Sequence, residues 1–415
     1  MFKMKDTHKW TKGKTAIVVV DCILCIAIIV SSILIVVDRS RLKNGVTYDD
    51  TKSAQQDNNT ATGTATARLM CAGDNLIHRG IFSQANERAD GEGYDFSYSY
   101  EQIKDIIGLS DIAFLNQETI IDPNLEPSSS PDFNSPAELL DEMKNIGFDI
   151  MNQANENVLD YGEEAARDNM TYIKSKKMLL TGLYESREDM LKPQVTEVNG
   201  IKFSFVGFTE YMDESYLLDE DSDLGLFYLD DERYSQDELY ETMKQMIKNA
   251  KLSSDIVCVS MHWKTEDITE PDESQYEIMD KLMEYGADII IGSGPHVLQP
   301  FDFRENGDGE KALIMWSLGN LISCQSGREN LLGGIADITV EKDLATKEVT
   351  IKSAKLIPTV THYEEDYSDI RIIPFRKYSA ELAETHGSDN SEFTYDFIDG
   401  FYKEMYGDVL EVNWK

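Results

Sequence analysis

Cysteine is scarce in this chain, with five in 415 residues. Cys22 and Cys25 lie in an apolar run near the N-terminus, while Cys71, Cys258 and Cys324 fall within or just after β-rich runs. None has zinc-finger spacing, and three thiols cannot all pair among themselves. A disulfide framework is therefore excluded, and buried thiols are expected. Positive charge is also short: 39 Lys and Arg stand against 76 Asp and Glu, for a net charge of −37. Residues 1–44 carry eight Lys/Arg and three Asp, so that segment is +5 and the remainder −42. Such a surface repels nucleic-acid phosphates, which argues against DNA or RNA as a partner. It repels other polyanions too, unless cations intervene. Long apolar runs are limited to one, so a single membrane span is the most the chain is expected to have.

That run, TAIVVVDCILCIAIIVSSILIVV, occupies residues 15–37 with Asp21 as its one charge. About 20 apolar residues cross a hydrocarbon core of about 30 Å, so the run is long enough for a transmembrane helix. It is too long for a signal-peptide core, and no small-x-small cleavage site follows it. Five lysines precede the span (Lys3, Lys5, Lys9, Lys12, Lys14) and Arg39, Arg41 and Lys43 follow it. This bias places residues 1–14 in the cytoplasm and the bulk of the chain outside the cell membrane. Asp21 lies near the start of the span, where protonation or snorkelling accommodates it. Residues 38–66 are polar, with almost nothing to bury in 45–66, and read as a flexible stalk.

From residue 67 the pattern changes. Short β-rich runs (ARLMCAG, DIAFLNQE, FDIMNQAN, KMLLTGL, IKFSFVGF, DIVCVSMHW, ADIIIGSG, KALIMWSLGN) alternate with amphipathic stretches such as 136–146 and 236–252. This alternation predicts an α/β domain with largely buried sheet over 67–360. Residues 361–415 are richer in charge and turns, with helical patches at 379–385 and 395–406, and read as an extension packed on that domain.

Metal-ligand and acid/base residue types gather where the β runs end. ARLMCAG leads into Asp74, DIAFLNQE ends in Asn116 and Glu118, and FDIMNQAN runs into Asn155, Glu156 and Asn157. DIVCVSMHW ends in His262, ADIIIGSG runs into His296, and KALIMWSLGN ends in Asn320. Ligands of open α/β sheets bind beyond the carboxyl ends of the strands. Carboxylate and imidazole together suit a divalent ion such as Mn, Zn, Fe or Mg. Any one of these residues alone reads as a turn, a cap or a satisfied structural residue; the pattern is the signal.

The motifs Gly73-Asp74-Asn75-Leu76-Ile77-His78, Asn116-Gln117-Glu118-Thr119, Phe133-Asn134-Ser135-Pro136 and Leu159-Asp160-Tyr161-Gly162 carry a resemblance, continued by Met261-His262-Trp263, Pro295-His296-Val297-Leu298-Gln299-Pro300 and Ser317-Leu318-Gly319-Asn320. In this order and spacing the chain resembles the CapA family of bacterial capsule and poly-γ-glutamate synthesis proteins, whose domain is similar to calcineurin-like metallophosphatases. Residues 378–387 resemble that family's C-terminal part.

The resemblance implies a two-sheet sandwich flanked by helices with a metal site at the strand ends. It places Asp74, Glu118, His262 and His296 at ligand-type positions. Asn116 and Asn320 become neighbours that orient or contact substrate, and His78 and Asn75 candidates for the site mouth. Glu156-Asn157 stands where the family usually has Asn-His, and Gly294-Pro295-His296 where it has His-Pro-His. Glu156 retains ligand capacity, but Asn157 does not titrate near neutral pH and cannot act as a histidine acid. Two functional readings follow. One is a surface metal-dependent hydrolase or transferase with a depleted site, acting on phosphoester or γ-glutamyl bonds. The other is a non-catalytic scaffold that holds an envelope polymer or its membrane synthase.

Overall fold

A computed structural model describes residues 63–213, 216–388 and 392–407. The span expected at 15–37 lies outside the described residues. Among those described, no helix is long and apolar enough to cross a membrane. The described residues belong to one unit, 60–415.

Period-two alternation and β-branched runs give the strands β1 (Thr64–Asn75), β2 (Ile112–Gln117), β3 (Ile150–Asn152), β4 (Leu179–Thr181), β5 (Leu183–Tyr184), β6 (Val195–Val198), β7 (Ile201–Thr209) and β8 (Gly225–Leu226). The second half adds β9 (Ile256–His262), β10 (Ile289–Ser293), β11 (Leu298–Glu305), β12 (Lys311–Leu318), β13 (Asn320–Ile322), β14 (Leu332–Asp343), β15 (Val349–Glu364) and β16 (Ser368–Pro374). They form one sheet in the order β16-β15-β14-β1-β2-β3-β4, with β13 on β1, a second in the order β11-β12-β10-β9-β7-β6, and a separate antiparallel pair of β5 with β8. The strands β1 to β4 run parallel, as do β7, β9, β10 and β12.

Alternation along β9 shows how the layers arise. Ile256 and Cys258 join the core between the sheets, while Val257, Val259 and Met261 face the helices outside. Those helices, Gln236–Ser253 and Glu273–Tyr285, contribute Leu239, Met243, Met246, Ile278 and Leu282 to the outer layer. Both start at capping boxes, Ser235 with Glu238 and Asp272 with Gln275, which satisfy the first free amides of each helix. Between the sheets, Phe114 of β2 stacks on Phe205 of β7 with ring centroids 5.8 Å apart. Helices Ser97–Ile107, Glu138–Ile146 and Gly162–Ser175 cover the outer face of the first sheet. The α/β sandwich flanked by helices is thus present in the described residues.

Two boundaries differ from the sequence reading. β1 begins at Thr64, inside the segment read as stalk, because it pairs with β14 from Asp343 onward. β15 runs through residue 360, and β16 pairs with it from His362↔Arg371 to Thr359↔Pro374. Residues 361–364 and 368–374 are therefore sheet, joined by a single 3-10 turn at Glu365–Tyr367. Their alternating charges, typical of a strand half open to solvent, read as an extension in sequence. The thiols of Cys71 and Cys258 are free and buried, and Cys324 is free and half-buried.

Candidate metal centre

The parallel registers bring the strand ends together. Asp74 lies opposite Asn116 on one side and Asn320 on the other, and Asn116 lies opposite Asn152. In the second sheet His262 lies opposite Ser293. Gly73 permits the close approach of β1 to the turn before β13, since a Cβ there would sit 2.0 Å from the Gly319 carbonyl oxygen. The amide of Asp74 then donates to that same oxygen at 3.0 Å.

Asp74 is fully buried. Its Oδ1 accepts from Asn116 Nδ2 at 2.8 Å, and its Oδ2 accepts from the Gly294 amide at 3.2 Å. His296 bridges two acids: Nδ1 lies 3.3 Å from Asp74 Oδ2, and Nε2 lies 3.4 Å from Glu118 Oε1. Its backbone is left-handed, at φ 58, directly after Pro295. His262 places Nε2 against Glu156 Oε2 and is held through Nδ1 by the Ser293 hydroxyl at 2.9 Å. Asp74, Glu118 and His296 form one group with ligand atoms within 4.8 Å of one another, and Glu118, Glu156 and His262 form another. Glu118 is common to both.

Burial and charge set the protonation of this centre. Burial pushes the Glu118 carboxyl well above its usual range, and the charges of Asp74 and Glu156 push it further. Burial opposes ionisation of Glu156, but the charge and hydrogen bond of His262, together with His296, outweigh it and hold the carboxyl at about 2. Burial likewise disfavours His296 as a cation, yet Asp74 and the charges of Glu156 and Glu266 raise it to about 9.

A cation fits these residues. Both oxygens of Glu118, His296 Nδ1 and Asn320 Oδ1 are buried without an oriented hydrogen-bond partner. Bare buried acceptors converging between imidazoles are costly unless something positive meets them. The donor set of three carboxylates and two imidazoles suits a divalent ion.

The other candidates fall in different places. Asn116 links Asp74 to Asn152, whose Nδ2 donates to Asn116 Oδ1 at 2.8 Å. Asn320 turns its amide nitrogen to Gln325 Oε1 at 2.7 Å and the Asn330 carbonyl at 3.0 Å, and its Oδ1 is buried without a partner. Asn157 touches Glu156 Oε1 at 3.4 Å through Nδ2. His78 is half-buried, accepts from the Cys324 amide at 3.2 Å and packs edge-on against Phe133. Burial lowers it to about 4, with His296 adding to the effect. Asn75 is fully buried below the site, with Oδ1 accepting from Tyr100 and Nδ2 donating to Gln117, both at 2.7 Å. It does not line a mouth.

Sequence reasoning passed over Asn152, Ser293 and the Gly294 amide as functional groups. It also passed over Asp160, whose carboxyl is raised to about 8 by burial and by the charges of Asp132 and Glu156, against the Phe133 amide that donates to it at 2.6 Å. Asn152 and Ser293 each end a β run, the same signal that marked Asn116 and His262.

The model of the family described as "Bacterial capsule synthesis protein PGA_cap" matches residues 68–325. The chain belongs to this family. All ten candidate residues of the PGA_cap segment, from Asp74 to Asn320, lie inside the matched range. The chain is 28% identical over 185 residues to the capsule biosynthesis protein CapA of Bacillus anthracis, covering 45% of this chain and 42% of that one. It is 29% identical over 181 residues to the PGA biosynthesis protein CapA of Bacillus subtilis (strain 168), covering 43% and 44%. The matches thus span less than half the length of either relative. Among solved structures, a phosphatase from Mycoplasma pneumoniae overlays with a TM-score of 0.42 at 14% identity, covering 72% of this chain and 95% of that one.

Proposed function

We propose that this PGA_cap chain is a membrane-anchored, extracytoplasmic hydrolase or transferase of capsule or poly-γ-glutamate-type envelope polymer synthesis, with a divalent metal at its strand ends. Glu118 carries the reading: it is a fully buried carboxylate with both oxygens bare, shared by two groups of ligand-type residues. Asp74, Glu118, Glu156, His262 and His296 would hold the ion. A bound divalent ion supplies Lewis acidity toward a phosphoryl or acyl oxygen and an activated water.

The chain's own residues do the rest. Asn116, fixed by Asn152, holds Asp74 in one rotamer, and Ser293 fixes the His262 ring so that Nε2 faces the cluster. Asn320 Oδ1 is a bare acceptor on the strand paired with Asp74, and the Gly294 amide holds Asp74 Oδ2. The apolar run at 15–37 and its lysine-rich flank support anchoring with the domain outside. The −42 remainder supports cation-bridged contact with an anionic polymer, or contact with its synthase.

The second reading, a non-catalytic polymer-holding subunit, is favoured by Asn157, an amide where a proton carrier is expected. Loss of a general acid costs about 10²–10⁴ in rate.

The test is metal analysis of the purified full-length protein, with assays on phosphoesters and γ-glutamyl peptides in added Mn²⁺ or Zn²⁺. Bound metal with turnover supports the enzyme. Bound metal without turnover, together with EDTA-sensitive polymer binding, supports the second reading. Neither metal nor turnover overturns the metal-dependent assignment.

A further inference from the structure

A separate group of ligand-type side chains lies on the β15–β16 hairpin. His362 is fully buried on β15, opposite Arg371 of β16. Its Nδ1 meets the Tyr378 hydroxyl at 3.1 Å, while Nε2 is buried with no partner. A ring nitrogen of His362 and carboxylate oxygens of Glu364 and Asp369 lie within 4.8 Å of one another. Because Nδ1 is engaged by Tyr378, Nε2 is the nitrogen left to coordinate.

We propose that His362, Glu364 and Asp369 form a second cation site, for an ion of the Zn²⁺ or Mn²⁺ class, distinct from the strand-end centre. One imidazole with two carboxylates is a three-ligand set that leaves positions for water. Glu364 is exposed, and its carboxylate has no hydrogen bond or ion pair among the described residues.

Asp369 is the contested ligand. Its Oδ1 accepts from the Tyr98 hydroxyl, and its Oδ2 pairs with Arg371 Nη1. The guanidinium has other anchors, since the same nitrogen donates to the Asp369 carbonyl at 3.1 Å and to Tyr98 Oη at 3.0 Å. It keeps these when the carboxylate turns to an ion. Asp369 also lines a surface cavity of about 500 Å³ with Gln84, Glu87, Arg88 and Asp366, so this ligand borders solvent.

The experiment is a Zn²⁺ titration of the full-length protein in a Glu118→Gln background, which removes the ligand common to both strand-end groups. Zinc is followed by equilibrium dialysis and elemental analysis. One bound ion per chain is expected. Glu364→Gln and His362→Gln, each added to that background, should weaken it at least tenfold, since even outer-sphere partners of a metal contribute about 10–100-fold. Glu364 is exposed, so its variant tests the site even where loss of the buried histidine impairs folding. No zinc in the Glu118→Gln protein overturns the proposal, as does zinc whose affinity Glu364→Gln leaves unchanged.

Discussion

Asn152 Nδ2 donates to Asn116 Oδ1 at 2.8 Å, and Asn116 Nδ2 donates in turn to Asp74 Oδ1 at 2.8 Å. Two amides in series therefore fix a buried carboxylate whose other oxygen faces Gly294 and His296. Neither amide can exchange roles without breaking a bond, because each uses its nitrogen toward the site and its oxygen away from it.

Asn116→Ala should therefore release Asp74 and weaken Mn²⁺ or Zn²⁺ binding at the strand ends by about 10–100-fold, the range seen when partners that orient a ligand are removed. Asn152→Ala acts one bond further away and should give a smaller loss in the same direction. Metal titration of the two variants, with circular dichroism to verify folding, checks the order. Equal metal affinity in all three proteins would show that Asp74 does not depend on the relay.

Glu118 sets stability against function. Its carboxylate is buried with both oxygens bare, and burial together with Asp74 and Glu156 raises its pKa well above normal. Glu118→Gln removes the ionisable group at nearly constant shape. The metal-free variant should be at least as stable as metal-free wild type at pH 7, because folded Glu118 must either take up a proton or bury a charge beside Asp74 and Glu156, and Gln needs neither. Metal at concentrations that saturate wild type should reverse the order, because the protein that keeps all five ligands binds the ion more tightly and gains more stability from it. Melting temperatures with EDTA and with Mn²⁺ measure both signs.

The sandwich and most of the centre were legible because each important side chain ends a β run. Asp74, Asn116, Glu118, His262, His296 and Asn320 are marked by position in the sequence alone. What was not legible depends on pairing between strands. Asn152 matters only because β3 sets it opposite Asn116. Asn75 sits next to Asp74 in sequence, but the strand alternation turns it away from the ligands, toward Tyr100 and Gln117. β16 was hidden because its charged residues, Asp369 and Arg371 among them, read as a polar extension, and only its pairing with Thr359–Glu364 of β15 makes it a strand.

Asp160 gives a pH dependence. Burial and the charges of Asp132 and Glu156 raise its carboxyl from 3.8 to about 8, so the folded protein holds a proton that the unfolded chain releases. Its contribution is complete below the unfolded value and is lost as pH rises through about 8. The melting temperature of the metal-free protein should fall between pH 4 and 8 partly on this account. Asp160→Asn keeps an acceptor for the Phe133 amide and should flatten that part of the slope. An unchanged slope would place the pH dependence elsewhere.

Gly294 stands where the family resemblance implies a histidine, and the backbone explains why the imidazole cannot simply be restored. Its φ is +98, a conformation that L side chains rarely adopt. A Cβ would lie 2.3 Å from the Trp263 carbonyl oxygen and 2.8 Å from its amide nitrogen, both backbone atoms that cannot swing aside. Its own amide already donates to Asp74 Oδ2. Gly294→His should therefore lower stability through both the left-handed strain, about 1–3 kcal/mol, and the collision with β9's exit. Gly294→Ala carries the same two penalties without an imidazole. If the centre has adapted to lack this ligand, both variants should lose melting temperature together, and the histidine should not tighten metal binding relative to the alanine. A histidine variant that binds metal more tightly than wild type would show instead that the loop can reopen and that the missing ligand limits the site.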